Sequence, residues 1–359
     1  MCAADDCNEE GVTRQDYDAV DAMLNLTETI DQNGNKLLVI GPDYQNGMWI
    51  IHSFVDRVGQ FETEPAHWFI HHDKGVRIQP SKQLGGVPSS RLMTEDFKRT
   101  YELSEHVKLF LECEKAVGLD MERRGAPPYT LSIHQPGKRI ADLENQLVDM
   151  IRSRVRTPQF RRAIAIRRYE INQNFERGKR YIEALFERYS RLNVIRIDLM
   201  YKAAHFPTFE QIKGDFNRFL NNRRRKTFFK AEVGLIWRLE FAPYSGFHYH
   251  LIVFTDGSRV GRDILLATRM GEFWSEITGG RGRFHNCNQD QLKYPRRGIG
   301  SISHNDVAER HTLVNEVLRY LTKTDELARP PVPKGARTFD CTQPPAPHSG
   351  KGRKRKASE

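Results

Sequence analysis

Eight residues, 247–254, constrain this chain more than any other stretch. They read Phe-His-Tyr-His-Leu-Ile-Val-Phe, an apolar strand-like run interrupted by histidines at 248 and 250. In a β-strand positions i and i+2 share a face, so the two imidazoles stand side by side. Two neutral imidazoles at that spacing form half of a divalent metal site.

The neighbouring segments alternate in the same way. Ile195, Ile197 and Leu199 share a parity, which leaves Arg196 and Asp198 on the other face. Leu235, Trp237, Leu239 and Phe241 form a second apolar row, with Arg238 and Glu240 opposite. The third strand sets Phe247, Tyr249, Leu251 and Val253 against His248 and His250. Three strands thus share one apolar face, to pack under two helices. The opposite face collects Arg, Asp, Glu and His, and the expectation is an uncovered functional surface there.

The turn at 243–245 fixes a register. If Ala242 faces Gly246, Glu240 faces His248 at a Cβ separation of roughly 4.5–5.5 Å. Glu240 then completes a His, His, carboxylate set and is expected to lie nearer both imidazoles than Asp198. Asp198 is the second choice of ligand, or a partner that orients an imidazole. Mixed nitrogen and oxygen donors suit Mn²⁺ or Mg²⁺ and do not exclude Zn²⁺. A weaker metal candidate is the cluster His67, His71 and His72, with Glu62, Glu64 and Asp73 as the nearby carboxylates.

Around this core the spacing predicts strands at 193–201, 234–241, 247–255 and 299–303, and helices at 209–225, 262–277 and 307–322. The order β-α-β-β-α-β-α implies an α+β, ferredoxin-like split βαβ antiparallel sheet with one added helix. On that helix Tyr320 and Lys323 lie one turn apart. Upstream, 138–191 reads as a basic helical arm broken at Thr157-Pro158. Between Arg152 and Arg191 there are 12 Arg/Lys against four Glu, which suits a phosphate backbone. Arg223, Arg224, Arg225 and Lys226, followed by Phe228 and Phe229, are further candidates for phosphate contact and base stacking, as are Arg196 and Arg238 for phosphate. The alternative for the two phenylalanines is the core.

Residues 1–20 read as a disordered acidic N-terminus without a signal peptide, and 329–359 as a disordered basic tail. Residues 21–137 read as an N-terminal domain of unassigned fold, with Leu37–Ile40, Met48–Phe54 and Trp68–His71 strand-like and Phe97–Val117 helix-like. The net charge of +10 favours an anionic partner. Five cysteines without paired spacing point to a reducing cytosol. No apolar run reaches membrane-span length.

At Phe247–Phe254 and Arg319–Lys323 the chain resembles the second and third motifs of the HUH-superfamily rolling-circle replication initiators. Arg196-Ile197-Asp198-Leu199 resembles the strand that opens their domain. The likeness is greatest to inovirus gene-II-like initiators with a YagK/YfjJ-type C-terminal domain, and covers about 160–325. The resemblance implies an HUH endonuclease domain at 192–328 and a metal-dependent single-strand nuclease and strand transferase. Tyr320 would be the nucleophile, assisted by Lys323, leaving a 5′-phosphotyrosine and a free 3′-OH. It implies single-stranded DNA and a replication origin as partners, with host helicase and polymerase, in a bacterial cytoplasm. Unlike relatives with paired tyrosines, this helix offers Glu316 and Thr324 but no second tyrosine. Relaxases and transposases share the same motifs. A zinc hydrolase and a non-catalytic DNA-binding protein are the remaining readings.

Overall fold

A computed structural model describes residues 26–30, 36–40, 44–92, 101–122, 125–202, 205–242, 246–289 and 298–346. The expectations for 1–20 and for the terminal basic run at 347–359 fall outside the described residues. The fold is mixed α+β, and every strand pairing in it is antiparallel.

The N-terminal part opens with a paired β1 (Leu26–Ile30) and β2 (Lys36–Ile40), then α1 (Tyr44–Gln60) and the hairpin β3 (His67–His72) and β4 (Gly75–Pro80). A two-residue β5 (Glu102–Leu103) leads into α2 (Glu105–Ala116), whose N-cap Ser104 accepts from the Val107 amide. The strand expected at Met48–Phe54 is therefore a helix. Its apolar run is too continuous to reveal a period, yet Met48, Ile51, Val55 and Val58 are buried at helical spacing. These side chains pack with Phe110, Leu147 and Ile151 into one core. Leu147 and Ile151 belong to α3 (Ile140–Val155), so the first half of the expected arm is part of the N-terminal core.

The break falls where the proline places it. Thr157 caps α4 (Pro158–Arg188), with Pro158 in the first turn. From α4 the chain enters the central sheet through β6 (Arg191–Tyr201), α5 (Phe209–Asn222), β7 (Glu232–Ala242), β8 (Gly246–Asp256) and α6 (Asp263–Ile277). Two short strands follow, β9 (Gly282–Asn286) and β10 (Gly300–Ser303), and both pair with β6. The sequence pattern showed only the second of them. The last helix has three parts: α7 (Val307–Thr312), a π-helical turn (Leu313–Leu318) and α8 (Arg319–Lys323). Gly298 has φ +52°, and a Cβ there would lie 2.8 Å from the Leu313 amide nitrogen, where the π turn begins.

Sheet order is β10-β6-β8-β7 with β9 beside β6, extended by β12 (Phe339–Cys341) against β7. β11 (Ala328–Arg329) pairs with β5. The tail expected from 329 onward therefore folds back as far as residue 341. Phe339 buries its ring, and the Thr342 hydroxyl meets that of Tyr181 at 2.5 Å.

The two sheet faces bury different things. Leu199, Leu239, Tyr249 and Leu251 pack under α5 and α6 with Phe216, Phe219 and Trp274. On the other face Val194, Ile236, Ile252 and Phe254 pack under α4 and the last helix, through Tyr181, Leu185, Val317 and Leu321. The face expected to be uncovered is thus covered. The reason is that its polar residues occupy only one end of each strand, and the other end offers α4 an apolar seat. No helix among the described residues is long and apolar enough to cross a membrane.

Candidate metal centre

The hairpin register is the one that the turn length implies: Glu240 faces His248 across β7 and β8, and Asp198 on β6 faces His250. The side chains that could hold a metal among the described residues are Glu240, His248 and His250, with their donor atoms all within 4.8 Å of one another. All three are buried. Glu240 Oε2 lies 3.2 Å from His250 Nε2 and 3.8 Å from His248 Nε2. The opposite ring nitrogens are engaged elsewhere. His248 Nδ1 is 3.1 Å from the Gly246 carbonyl, and His250 Nδ1 is 2.5 Å from Asp198 Oδ1. Both Nε2 atoms therefore turn toward the carboxylate, and each imidazole is oriented from behind.

Asp198 falls into the orienting role. It contacts His250 more closely than Glu240 does, so the expectation that Glu240 lies nearer both imidazoles fails at His250. The cause is the third strand, β6, which lies on the far side of β8 from Glu240. Glu240 Oε1 is buried with no hydrogen-bond partner among the described residues. An orphaned buried carboxylate oxygen beside two inward Nε2 atoms is what a cation would complete. Two imidazoles and one carboxylate are a donor set that could hold a metal ion.

Electrostatics couple these groups to one another. Burial alone would lower the His250 imidazole, but Asp198 and Glu240 outweigh it and raise it to about 10. Burial raises the Glu240 carboxyl, and the adjacent His250 then brings it down to about 2. Asp198 is likewise driven low, by His250 and Arg196 against burial. His248 is lowered by burial and by its charged neighbour His250. His250 thus lies between two carboxylates, with Asp198 at Nδ1 and Glu240 at Nε2.

Tyr320 on α8 comes to this cluster from the covering helix, its ring centre 6.3 Å from that of His250. The π turn just before it sets which side of the helix it faces. The Arg196 guanidinium carbon lies 4.9 Å from the centre of the Tyr320 ring. Burial raises the phenol well above its ordinary value, Glu240 adds to this, and Arg196 opposes it. The Lys323 side chain lies outside the described residues.

The other candidate cations divide. Arg238 is buried and ion-paired with Asp325, and also donates to the Thr338 hydroxyl at 3.1 Å, so it is a structural group rather than a phosphate contact. Arg223 is held between 2.9 Å contacts to both Glu232 oxygens, and Lys226 by Glu276 at 2.8 Å. Arg224 and Arg225 are exposed. Phe228 and Phe229 pack in the core beside Phe219 and Phe273, and do not form a stacking platform. In the N-terminal part, His67 Nε2 contacts Glu144 while His71 and His72 are exposed, so those histidines do not converge.

Three groups at the site carried no sequence signal. The Tyr101 hydroxyl donates to the Phe241 carbonyl at 2.9 Å, which brings the N-terminal part to the edge of the cluster. His285 faces Asp198 across β9, and the Cys287 thiol is 3.7 Å from Asp198 Oδ2. His285 lies on β9, a strand with only five residues and no clean alternation, and Cys287 directly follows it.

Residues 156–326 match the YagK/YfjJ C-terminal domain family, a little under half of the chain. Comparisons with curated proteins and with solved structures give no match.

Proposed function

We propose that the domain built on the central sheet is an HUH-type endonuclease that nicks single-stranded DNA and rejoins it, as a rolling-circle replication initiator does. One observation carries this reading: Glu240, His248 and His250 converge within 4.8 Å, with the Tyr320 ring beside His250. The order β9/β10, β6, β8, β7, with α5 and α6 crossing one face, is a split βαβ arrangement and supports the same reading.

In this reading Glu240, His248 and His250 would hold a divalent cation, which would supply Lewis-acid polarisation of the scissile phosphate. Asp198 and the Gly246 carbonyl keep both Nε2 lone pairs directed inward. The Tyr320 oxygen attacks phosphorus. A new O–P bond forms, the bond to the 3′-oxygen breaks, and that oxygen leaves and takes up a proton. Ionising the phenol requires removal of what raises it. Parting the helix from the sheet would return solvent to the phenol, Arg196 already favours the phenolate, and compensation of the Glu240 charge would remove the second cause. The phosphotyrosine keeps the bond energy, so attack by the 3′-OH reseals the strand. Because the residues are buried, the strand must part the covering helix from the sheet to reach them.

Incubation with circular single-stranded DNA and Mn²⁺, followed by denaturing electrophoresis, tests the proposal. A protein–DNA adduct that disappears with Tyr320→Phe is expected. Nicking at an undiminished rate by Tyr320→Phe contradicts it.

A further inference from the structure

A cleft in the N-terminal part lies along the first turns of α4, whereas the sheet packs on its last turns. The cleft, of about 530 Å³, runs between α1 and the start of α4, a size typical of small-molecule sites. Arg156, Arg161 and Arg168 line it, all three exposed, against a single carboxylate, Asp56. Asp56 accepts from Gln60 at 3.1 Å, and none of the three arginines has an ion-pair partner among the described residues. Arg161, Ile164 and Arg168 share one helix face at positions i, i+3 and i+7. Other arginines of this basic stretch are satisfied: Arg167 by Glu105 and the Leu103 and Asp325 carbonyls, Arg154 by Glu112.

The remaining wall is apolar. Val55, Val155, Phe160 and Ile164 form it, and the His106 ring meets Phe160 edge-on at 5.3 Å, which fixes the plane of that phenyl. His106 is lowered to about 4, first by burial and then by Arg168 and Arg167, so it contributes a neutral edge and no further charge. Uncompensated guanidiniums beside a flat, positioned aromatic are complementary to a group that joins an anion to a planar ring.

We infer that this cleft binds a nucleoside monophosphate unit, free or within a DNA strand, with its phosphate on Arg156, Arg161 and Arg168 and its base against Phe160. The inference does not rest on the nuclease reading. It is tested on the full chain in EDTA, where metal-dependent cleavage is absent.

Isothermal titration with deoxyadenosine monophosphate and with a short single-stranded oligodeoxynucleotide separates the two sources. Binding by the mononucleotide identifies a free nucleotide site, and binding by the oligonucleotide alone identifies a strand site. Arg156→Gln/Arg161→Gln/Arg168→Gln should weaken whichever binds by roughly tenfold or more, because it removes charge-assisted contacts. Arg161→Lys/Arg168→Lys, which keeps the charge, should recover part of that loss. The charge-matched surface variant Lys213→Gln/Arg259→Gln/Arg269→Gln should leave it unchanged. Photocrosslinking with 8-azido-deoxyadenosine monophosphate should label peptides within 155–168. Absence of binding by both probes, an equal loss in the surface variant, or labelling confined to other peptides overturns the inference.

Discussion

The two faces of the central sheet are built from the same strands and stabilised in different ways. Under α5 and α6 the face is a continuous aromatic and aliphatic core, in which Phe216 stacks on Tyr249 at 3.7 Å. On the other face, one end of the strands is apolar and the other buries Arg196, Asp198, Arg238, Glu240, His248 and His250. Burying charge is tolerated only where each charge is answered. Arg238 is answered by Asp325, and His250 by Asp198 and Glu240. Glu240 Oε1 remains without a partner among the described residues. The first face stabilises the fold, and the second uses part of that stability to bury a polar cluster.

The largest effects should come from breaking either face, with different routes to repair. Phe219→Ala on the apolar face should cost about 3–5 kcal/mol by opening a cavity. Asp325→Ala should cost a similar amount, about 3–5 kcal/mol, by leaving Arg238 buried without its partner. Arg238→Met/Asp325→Leu should regain most of the second loss, since replacing both charges removes the desolvation penalty. Chemical denaturation of the three variants decides this. If the double variant is as unstable as Asp325→Ala, the two faces are not held as described.

How the sequence relates to this contrast depends on range. Alternation along residues 195–199, 235–241 and 247–253 was enough to assign faces, and the turn length set Glu240 opposite His248. Those signals are local. The polar end of the second face was legible, but its cover was not. Val194, Ile236 and Ile252 share a parity with the charged residues, and only α4 packing on them shows which end is apolar. Arg238 read as a phosphate contact because Asp325 lies 87 residues away. Phe228 and Phe229 followed a basic run and looked available, yet their burial is decided by α6. His285 reaches the site on a strand too short to alternate, and Cys287 directly follows it.

A smaller effect should separate the orienting carboxylate from the coordinating one. Asp198→Asn keeps the size but weakens the hold on His250 Nδ1, and should lower divalent metal affinity roughly 10–100-fold. Glu240→Gln should lose more, because it alters a donor. Metal titration of both variants ranks them, and the reverse order would exchange the two roles.

The pH dependence follows from the same cluster. The His250 pKa is raised on folding to about 10, so its contribution is complete below about 6.5 and is lost as pH rises toward 10. Glu240 is lowered to about 2, so its contribution is present above about 4.5 and is lost as pH falls. Metal-free protein should therefore lose stability across the alkaline window. A bound divalent cation, which displaces the His250 proton, should flatten that loss. Thermal unfolding between pH 6 and 10, with EDTA or Mn²⁺, measures both. Identical curves would mean that the cation does not take the place of the proton.

The smallest effect belongs to the surface. Arg224→Gln/Arg225→Gln should change stability by less than about 0.5 kcal/mol. It should reduce the salt slope of single-strand binding by up to about 1.4 if both residues contact phosphate. An unchanged slope assigns them to solvent.

The most direct test of the central claim is to identify the residue that becomes linked to DNA. Protein reacted with single-stranded DNA and Mn²⁺ is digested with nuclease and protease, and the peptides are weighed and sequenced by mass spectrometry. A phosphodeoxynucleotide is expected on Tyr320 and on no other tyrosine. A nicked strand without any linked peptide, or a nucleotide on a different residue, would contradict it.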